Sequence, residues 1–450
     1  MVVMASSAGN RALVARPLRV RLTPLQAAGR LCEAAASAVM LLHSGEVATT
    51  ATAQPRRSFV AAFPDDNSCA LDPHQQHRAA PSGGLAGAPQ WVGVVPYEAR
   101  RGLERAGWSA PDRRPAPFIT TPRWLRYPAV CCFDAATGRA QVVGRSVSAI
   151  ERLRGALERP RRLCPLPARL RLLSPPDAAA HQRRVRRAIE LIRAGDLYQV
   201  CVGHRIEVGL QGQAFALFRS MLRRAPARYA AYLELGEGYR VLSTSPELLL
   251  RAEVGQPACS HGSSSFRQLW SEPIKGTRPR AANAVADRQQ ARLLADDAKE
   301  AAELAMIVDV VRNDLGRVAR VGSVRLVRPP HVVTHRTVHH RRALLAALAD
   351  EQATRLQVLL ALLPSGSVTG APKVRAMEVI ADLESQRRGL YTGAIGYVSH
   401  AGSLRLAMAI RTLVLHQRVG HYWTGGGIVA DSDPQREWEE TGWKATQLCI

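Results

Sequence analysis

Lys275 lies in Pro273-Ile274-Lys275-Gly276-Thr277-Arg278-Pro279-Arg280, a primary amine held between a proline turn and a Gly-Thr pair. An amine becomes a nucleophile near neutral pH when burial or a nearby cation destabilises its ammonium form, and Arg278 and Arg280 are close enough in sequence to help. Read alone, the octapeptide is a solvated loop cation among arginines. Two carboxylate pairs alter that reading. Glu300 with Glu303, and Glu437 with Glu440, have i, i+3 spacing, which puts each pair on one helical face. Either pair alone is surface acid balancing arginine. Brought together from two helices, the four would make a hard-oxygen site suited to Mg²⁺, with waters and an anionic substrate completing the shell.

Three features could cradle that anion. Gly425-Gly426-Gly427 exposes backbone amides, and Thr369-Gly370 offers a hydroxyl and an amide at the mouth of a helix. Both patterns also occur in plain turns. Arg411, in Ile410-Arg411-Thr412 on an apolar strand, needs a counter-ion if it points inward, and a bidentate carboxylate would serve. Pointing outward, it is a solvated charge.

The elements that must position these groups follow from periodicity. Ala38 to Gly45 and Trp91 to Glu98 read as strands, separated by a Gly/Pro-rich loop at Pro81-Ser82-Gly83-Gly84. Arg152 to Pro176 is arginine-rich, broken by proline and without clean periodicity, so it reads as a linker. From Asp177 an apolar stripe of Val185, Ile189, Leu191 and Ile192 marks a helix stopping at Gly195, and Tyr198 to Val208 then reads as a strand. Ala291 to Val311 is predicted as one long helix. Pro364 to Lys373 is a small-residue loop into a helix through about Leu383, followed by strands near Thr392 to Val398 and Leu404 to Leu415. A hinge is expected at the glycine run, and a last helix from Pro434 with Asp433 as its N-cap.

Composition bounds the rest. With 450 residues and 46% hydrophobic content the chain can bury a large core, as one big domain or two intimately packed ones. The apolar runs around Val39 to Leu42 and Val358 to Leu363 fall short of the roughly 18 residues that span a bilayer. The eight cysteines, Cys32, Cys69, Cys131, Cys132, Cys164, Cys201, Cys259 and Cys449, have no CxxC spacing and read as free thiols in a reducing cytoplasm. Met1 to Arg30 carries arginines and no acid, and a ragged start is expected there. The net charge of +24 is scattered arginine without aromatic RNA-binding signatures or zinc fingers, which argues against nucleic acid as the partner; the same field would attract a small dianion.

On these motifs the chain resembles the chorismate-utilising enzymes, and within them the aminodeoxychorismate synthase component I group related to anthranilate synthase component I. The matching stretches are Ile192 to Val200, Ser245-Pro246-Glu247, the lysine octapeptide, Met306 to Arg317, Gly366 to Met377, Gln386-Arg387-Arg388, Gly393 to Tyr397, Ile410-Arg411-Thr412 and Gly425 to Asp433. The resemblance implies an α+β fold of large antiparallel sheets packed as a sandwich with helices outside. It divides the chain into an N-terminal region, 1–165, and a catalytic domain, 177–450. Chorismate and ammonia would yield 4-amino-4-deoxychorismate, on the path to para-aminobenzoate and folate, by an enzyme of the aminotransferase class. The implied catalytic residues are Lys275 as nucleophile, Glu247 as proton donor to the departing hydroxyl, and His340 beside it. Gly276, Thr277, Thr369, Tyr391, Arg411, Gly425, Gly426, Gly427 and Lys444 would contact substrate. Glu303 and Glu440 would bind Mg²⁺ directly, with Glu300 and Glu437 holding its waters. Members that add water have a lysine where this chain has Gln199, and anthranilate synthases have an alanine at the Lys275 position, so the pair implies amination. No glutaminase motif is present, so ammonia would come from solution or a separate glutamine amidotransferase subunit.

Departures from the family pattern bear on that expectation. Arg341-Arg342 follows His340 and would put two cations beside the site unless the strand ends early. Cys201 replaces a common asparagine, and Leu304 a polar residue. Val254 to Ser271 reads as an insertion between Glu247 and Lys275, either a flexible loop or a segment that loosens their geometry. Alternatives are anthranilate synthase component I or a non-catalytic homologue that binds chorismate or an aromatic amino acid; Leu41-Leu42-His43-Ser44 resembles a strand lining tryptophan sites in the family.

Overall fold

The computed structural model describes residues 12–45, 56–73, 85–100, 112–160, 167–255 and 266–448. Within these the chain forms two antiparallel sheets. The larger has twelve strands, in spatial order Val14–Pro17, Ala140–Gly144, Ala129–Asp134, Arg57–Ala61, Met40–His43, Tyr229–Glu234, Tyr239–Ser245, Thr412–His416, Val419–Ile428, Gln199–Gln211 and Gly370–Ala371, with Arg169–Ser174 also on Gln199–Gln211. The smaller has ten: Ile274–Pro279, Val338–Leu348, Phe266–Glu272, Leu248–Val254, Leu404–Met408, Ala394–Ser399, Pro89–Val95, Arg123–Arg126 and Asp66–Ser68, with Arg325–Thr334 also on Val338–Leu348. Strands from 1–165 and 177–450 pair directly in both sheets, Met40–His43 with Tyr229–Glu234 and Pro89–Val95 with Ala394–Ser399.

The largest core packs the long sheet against helices Pro24–Glu33, Val147–Glu158 and Ala214–Arg224, and takes Val92, Val94 and Ile395 from the other sheet. A second core lies between the smaller sheet and helices Ala298–Gly316 and Arg355–Leu362, through Leu304, Ile307, Val311, Val358 and Leu362. Leu304 is fully buried, which accounts for an apolar residue after Glu303. A third core joins helices Ala178–Arg193 and Lys373–Leu383 to Val200, Val202 and Ile428.

Several expectations need correction. The start is ordered from Val14, which pairs with Gly144, and helix Pro24–Glu33 begins with a Thr23–Gln26 capping box; residues 1–11 lie outside the described residues. The linker reading fails because helix Val147–Glu158 buries Ile150, Leu153 and Leu157, an apolar stripe masked in sequence by intervening arginines. Arg169–Ser174 is a strand, and residues 161–166 lie outside the described residues. The long helix is two, Ala284–Asp296 and Ala298–Gly316, broken at Asp297, whose backbone is extended and whose carboxylate accepts from the Glu300 amide. The glycine run is no hinge: it lies in a strand, with Gly425, Gly426 and Gly427 opposite Gly203, Val202 and Cys201. Leu404 to Leu415 is two strands in different sheets, parted at Arg411, which has φ 51°. The proposed insertion is a hairpin whose strand Phe266–Glu272 buries Phe266 and Leu269. Its turn, 256–265, lies outside the described residues, as does Pro81 to Gly84.

Candidate active site

That hairpin brings Glu247 and Lys275 together. Glu247 immediately precedes Leu248, Lys275 follows Glu272 by three residues, and Leu248 pairs with Glu272. Extra chain at the far turn therefore leaves the near ends in register. Glu247 is 5% exposed, and burial pushes its carboxyl up to about 7. Ser367 Oγ donates to its Oε1 at 3.1 Å.

Lys275 Nζ is 2.7 Å from Glu303 Oε2. Burial acts to lower the pKa of the amine, but Glu303, with Glu440 and Glu300 behind it, outweighs burial and holds the pKa above the ordinary lysine value. Arg278 and Arg280 do not oppose this. Arg278 pairs with Asp297 at 2.9 Å and Arg280 with Asp287 at 2.7 Å, so the expectation that they destabilise the ammonium is not met. Gly276, with φ 89°, sits against the Glu300 carboxylate: a methyl there would lie 3.0 Å from Oε2.

Because Asp297 restarts the helix, Glu300 and Glu303 fall in its first two turns. Glu437 and Glu440 occupy helix Pro434–Ala445, capped by Asp433 as expected. The four carboxylates share one electrostatic neighbourhood. Burial, then Glu303, raises the pKa of Glu300; burial raises that of Glu437 against the Ser432 bond, and Glu440 adds to it. Glu440 is lowered, burial being outweighed by Lys444 at 2.6 Å. Lys444 also donates to Gly425 O. Among the described residues no three of these side chains converge closely enough to hold an ion as they stand. The donor set does suit a hard dication: it is all oxygen, and Glu300 and Glu437 are raised by burial first and then by their neighbouring carboxylates, Glu303 and Glu440.

The glycine run forms a wall of main chain. A methyl at Gly427 would lie 2.7 Å from Gln199 Nε2 and 3.2 Å from Lys275 Nζ; one at Gly426, 2.7 Å from Glu437 Oε2; one at Gly425, 3.0 Å from the Tyr391 hydroxyl. Gln199 is 2% exposed, and its Oε1 has no hydrogen-bond partner among the described residues. Tyr391 stacks on Trp423 at 5.5 Å.

His340 Nδ1 is 2.9 Å from Thr277 Oγ1, and burial, then the nearby Arg411, keeps the imidazole neutral. The strand does not end early. Arg342 is nevertheless tied to Glu272 at 3.2 Å, and Arg341 donates to Asp297 O, so neither cation stands loose beside the histidine. Arg411 has no carboxylate partner among the described residues. Its left-handed backbone is held through its carbonyl, which accepts from Thr244 N. Thr369 is fully buried with its hydroxyl donated to Ser365 O, so it shapes the loop while Ser367 reaches the acid.

Two parts of the site were not singled out from the sequence. Ser367 was one residue of a small-residue loop. Arg388 appeared only inside a matching stretch, yet its buried guanidinium binds Glu384, Val368 O and Cys201 O and lies 5.4 Å from the Tyr391 ring centre. The i, i+4 spacing of Glu384 and Arg388 was the available signal.

The family model described as chorismate binding enzyme matches residues 33–449. The chain belongs to the chorismate-binding enzymes. Among relatives of this chorismate-binding enzyme, anthranilate synthase component 1 of Thermus thermophilus is 42% identical over 60% of this chain and 55% of that protein. The protein of the same name from Streptomyces coelicolor is 35% identical over 84% of this chain and 75% of its own length. Aminodeoxychorismate synthase of Streptomyces griseus is 42% identical over 57% of this chain and 34% of that protein. The chain thus spans about half of the first of these relatives and a third of the last. Anthranilate synthase component I from Streptococcus pneumoniae superposes with a TM-score of 0.70 at 26% identity, covering 100% of this chain and 94% of that one. The α+β fold of large antiparallel sheets with flanking helices is shown by this likeness and by the strand order.

Proposed function

We propose that this chorismate-binding enzyme converts chorismate and ammonia to 4-amino-4-deoxychorismate, with ammonia released from glutamine by a separate amidotransferase subunit. The observation that carries the reading is the meeting of Lys275 Nζ and the Gln199 amide at Gly427. An amine nucleophile and a neutral amide, rather than a second amine that would act as base toward water, line the same wall. Lys275, once it has given up its proton, attacks the ring as the C–O bond to the ring hydroxyl breaks. Glu247 supplies the proton with which that hydroxyl leaves as water. Ammonia then bonds to the carbon that lost the hydroxyl and expels the Lys275 amine. The new ammonium returns a proton to Glu247, so protons balance over the cycle. Arg411 anchors a substrate carboxylate. Glu303 and Glu440 would hold Mg²⁺ and Glu300 and Glu437 its waters; when bound, the ion would neutralise the ring carboxylate.

A second reading, anthranilate formation, is supported by the names of the first two relatives. The separating experiment incubates purified protein with chorismate, Mg²⁺ and ammonium and identifies the product by mass. Aminodeoxychorismate that disappears in Lys275→Ala and on chelation of Mg²⁺ is the expected result. Fluorescent anthranilate from the wild type would overturn the proposal. The non-catalytic alternative loses its motive, since Arg341 and Arg342 are both bound elsewhere.

A further inference from the structure

Glu247 must present a proton in one direction, and a buried carboxyl free to rotate would not. Ser367 Oγ donates to Oε1 of Glu247 at 3.1 Å. Ser367 is held from behind by Ser365, whose Oγ accepts the Ser367 amide at 3.2 Å and lies 3.1 Å from its hydroxyl. Ser365 is itself fixed, 5% exposed and with its carbonyl accepting from Thr369 Oγ1 at 2.8 Å. The intervening Gly366 seats the loop on the carboxylate-bearing helix: a methyl there would overlap Val310 Cγ1. The other groups facing the carboxyl are Lys275, Glu272 and the Ile274 main-chain amide.

We propose that Ser367, backed by Ser365, is a positioning residue for the proton donor: it pins Oε1 of Glu247 as the hydrogen-bond acceptor, so that the transferable proton sits on Oε2. The serine acts through the acid it binds. When Glu247 gives up its proton the same hydroxyl stabilises the new carboxylate, and it keeps the Oε2 lone pair aimed at the ammonium that returns the proton. The inference rests on Glu247 as the acid of the proposed amination.

The test compares wild type, Ser367→Ala, Ser367→Thr and Glu247→Gln in chorismate-plus-ammonium turnover across pH, with a thermal melt of each. Positioned proton transfer contributes roughly 10²–10⁴-fold, so Ser367→Ala should lose roughly tenfold or more in kcat with KM for chorismate little changed. Its kcat/KM should also fall off at higher pH than wild type, because the bond that lowers the Glu247 pKa is gone. Ser367→Thr, which keeps the hydroxyl, should recover most of the rate at an unchanged melting temperature. Wild-type kcat in Ser367→Ala, or a loss confined to KM with the pH profile unmoved, would overturn the positioning role. Full activity in Glu247→Gln would instead sink the assignment of the acid itself.

Discussion

The ion pair between Lys275 and Glu303 sets what the amine can do: while it holds, the lysine is an ammonium without a lone pair. On the proposed mechanism the Lys275–Glu303 pair would have to part before attack on the ring, and Mg²⁺ held by Glu303 would compete for that carboxylate. Glu247 has the opposite need. Its carboxyl is raised, so the acid form persists to about pH 7 and is lost above it. Turnover limited by protonation of the leaving hydroxyl should therefore fall as pH rises through about 7, and Glu247→Gln should cost roughly 10²–10⁴-fold below that pH and progressively less above it; both are read from kcat/KM profiles. Residue type and spacing singled out Lys275 and the two glutamate pairs, which the structure brings into one electrostatic neighbourhood; Gln199 was visible only through the family resemblance. The ties of Arg278 to Asp297 and Ser367 to Glu247 were not legible in sequence, since such bonds join residues brought near only by the folded chain.

Elements place these groups through close backbone approach. The break at Asp297 converts a stretch with continuous helical periodicity into a fresh N-terminus, and only cap chemistry, not apolar spacing, could have revealed it. The glycine strand was misread as a hinge because glycine suggests freedom; here it supplies thinness, letting Tyr391, Glu437, Gln199 and Lys275 reach the main chain. Gly427→Ala should therefore depress turnover by displacing Lys275 and Gln199, while Gly366→Ala, packed on Val310, should cost about 1–3 kcal/mol of stability. Denaturant titration beside activity assays separates the two effects.

At the scale of the molecule, each sheet carries a block of strands from 1–165 at one end, joined to the strands of 177–450 through one strand pair. A fragment of 177–450 would expose the edges of Tyr229–Glu234 and Ala394–Ser399, so it should fail to give the near-UV dichroism of a packed core or should aggregate. Sequence similarity concentrated in the second half hid this dependence, because pairing between strands far apart in the chain leaves no local signature. Arg411 stands where the chain leaves the smaller sheet for the larger, with its backbone in a left-handed turn and its charge unmatched by any carboxylate among the described residues. A substrate carboxylate on that guanidinium would be fastened to the seam itself. Ligand binding and the cohesion of the two sheets then become linked quantities. Chorismate at about a hundred times its Kd should add about 2.7 kcal/mol to unfolding of the whole molecule in one transition, and Arg411→Gln should abolish most of that gain in a calorimetric melt.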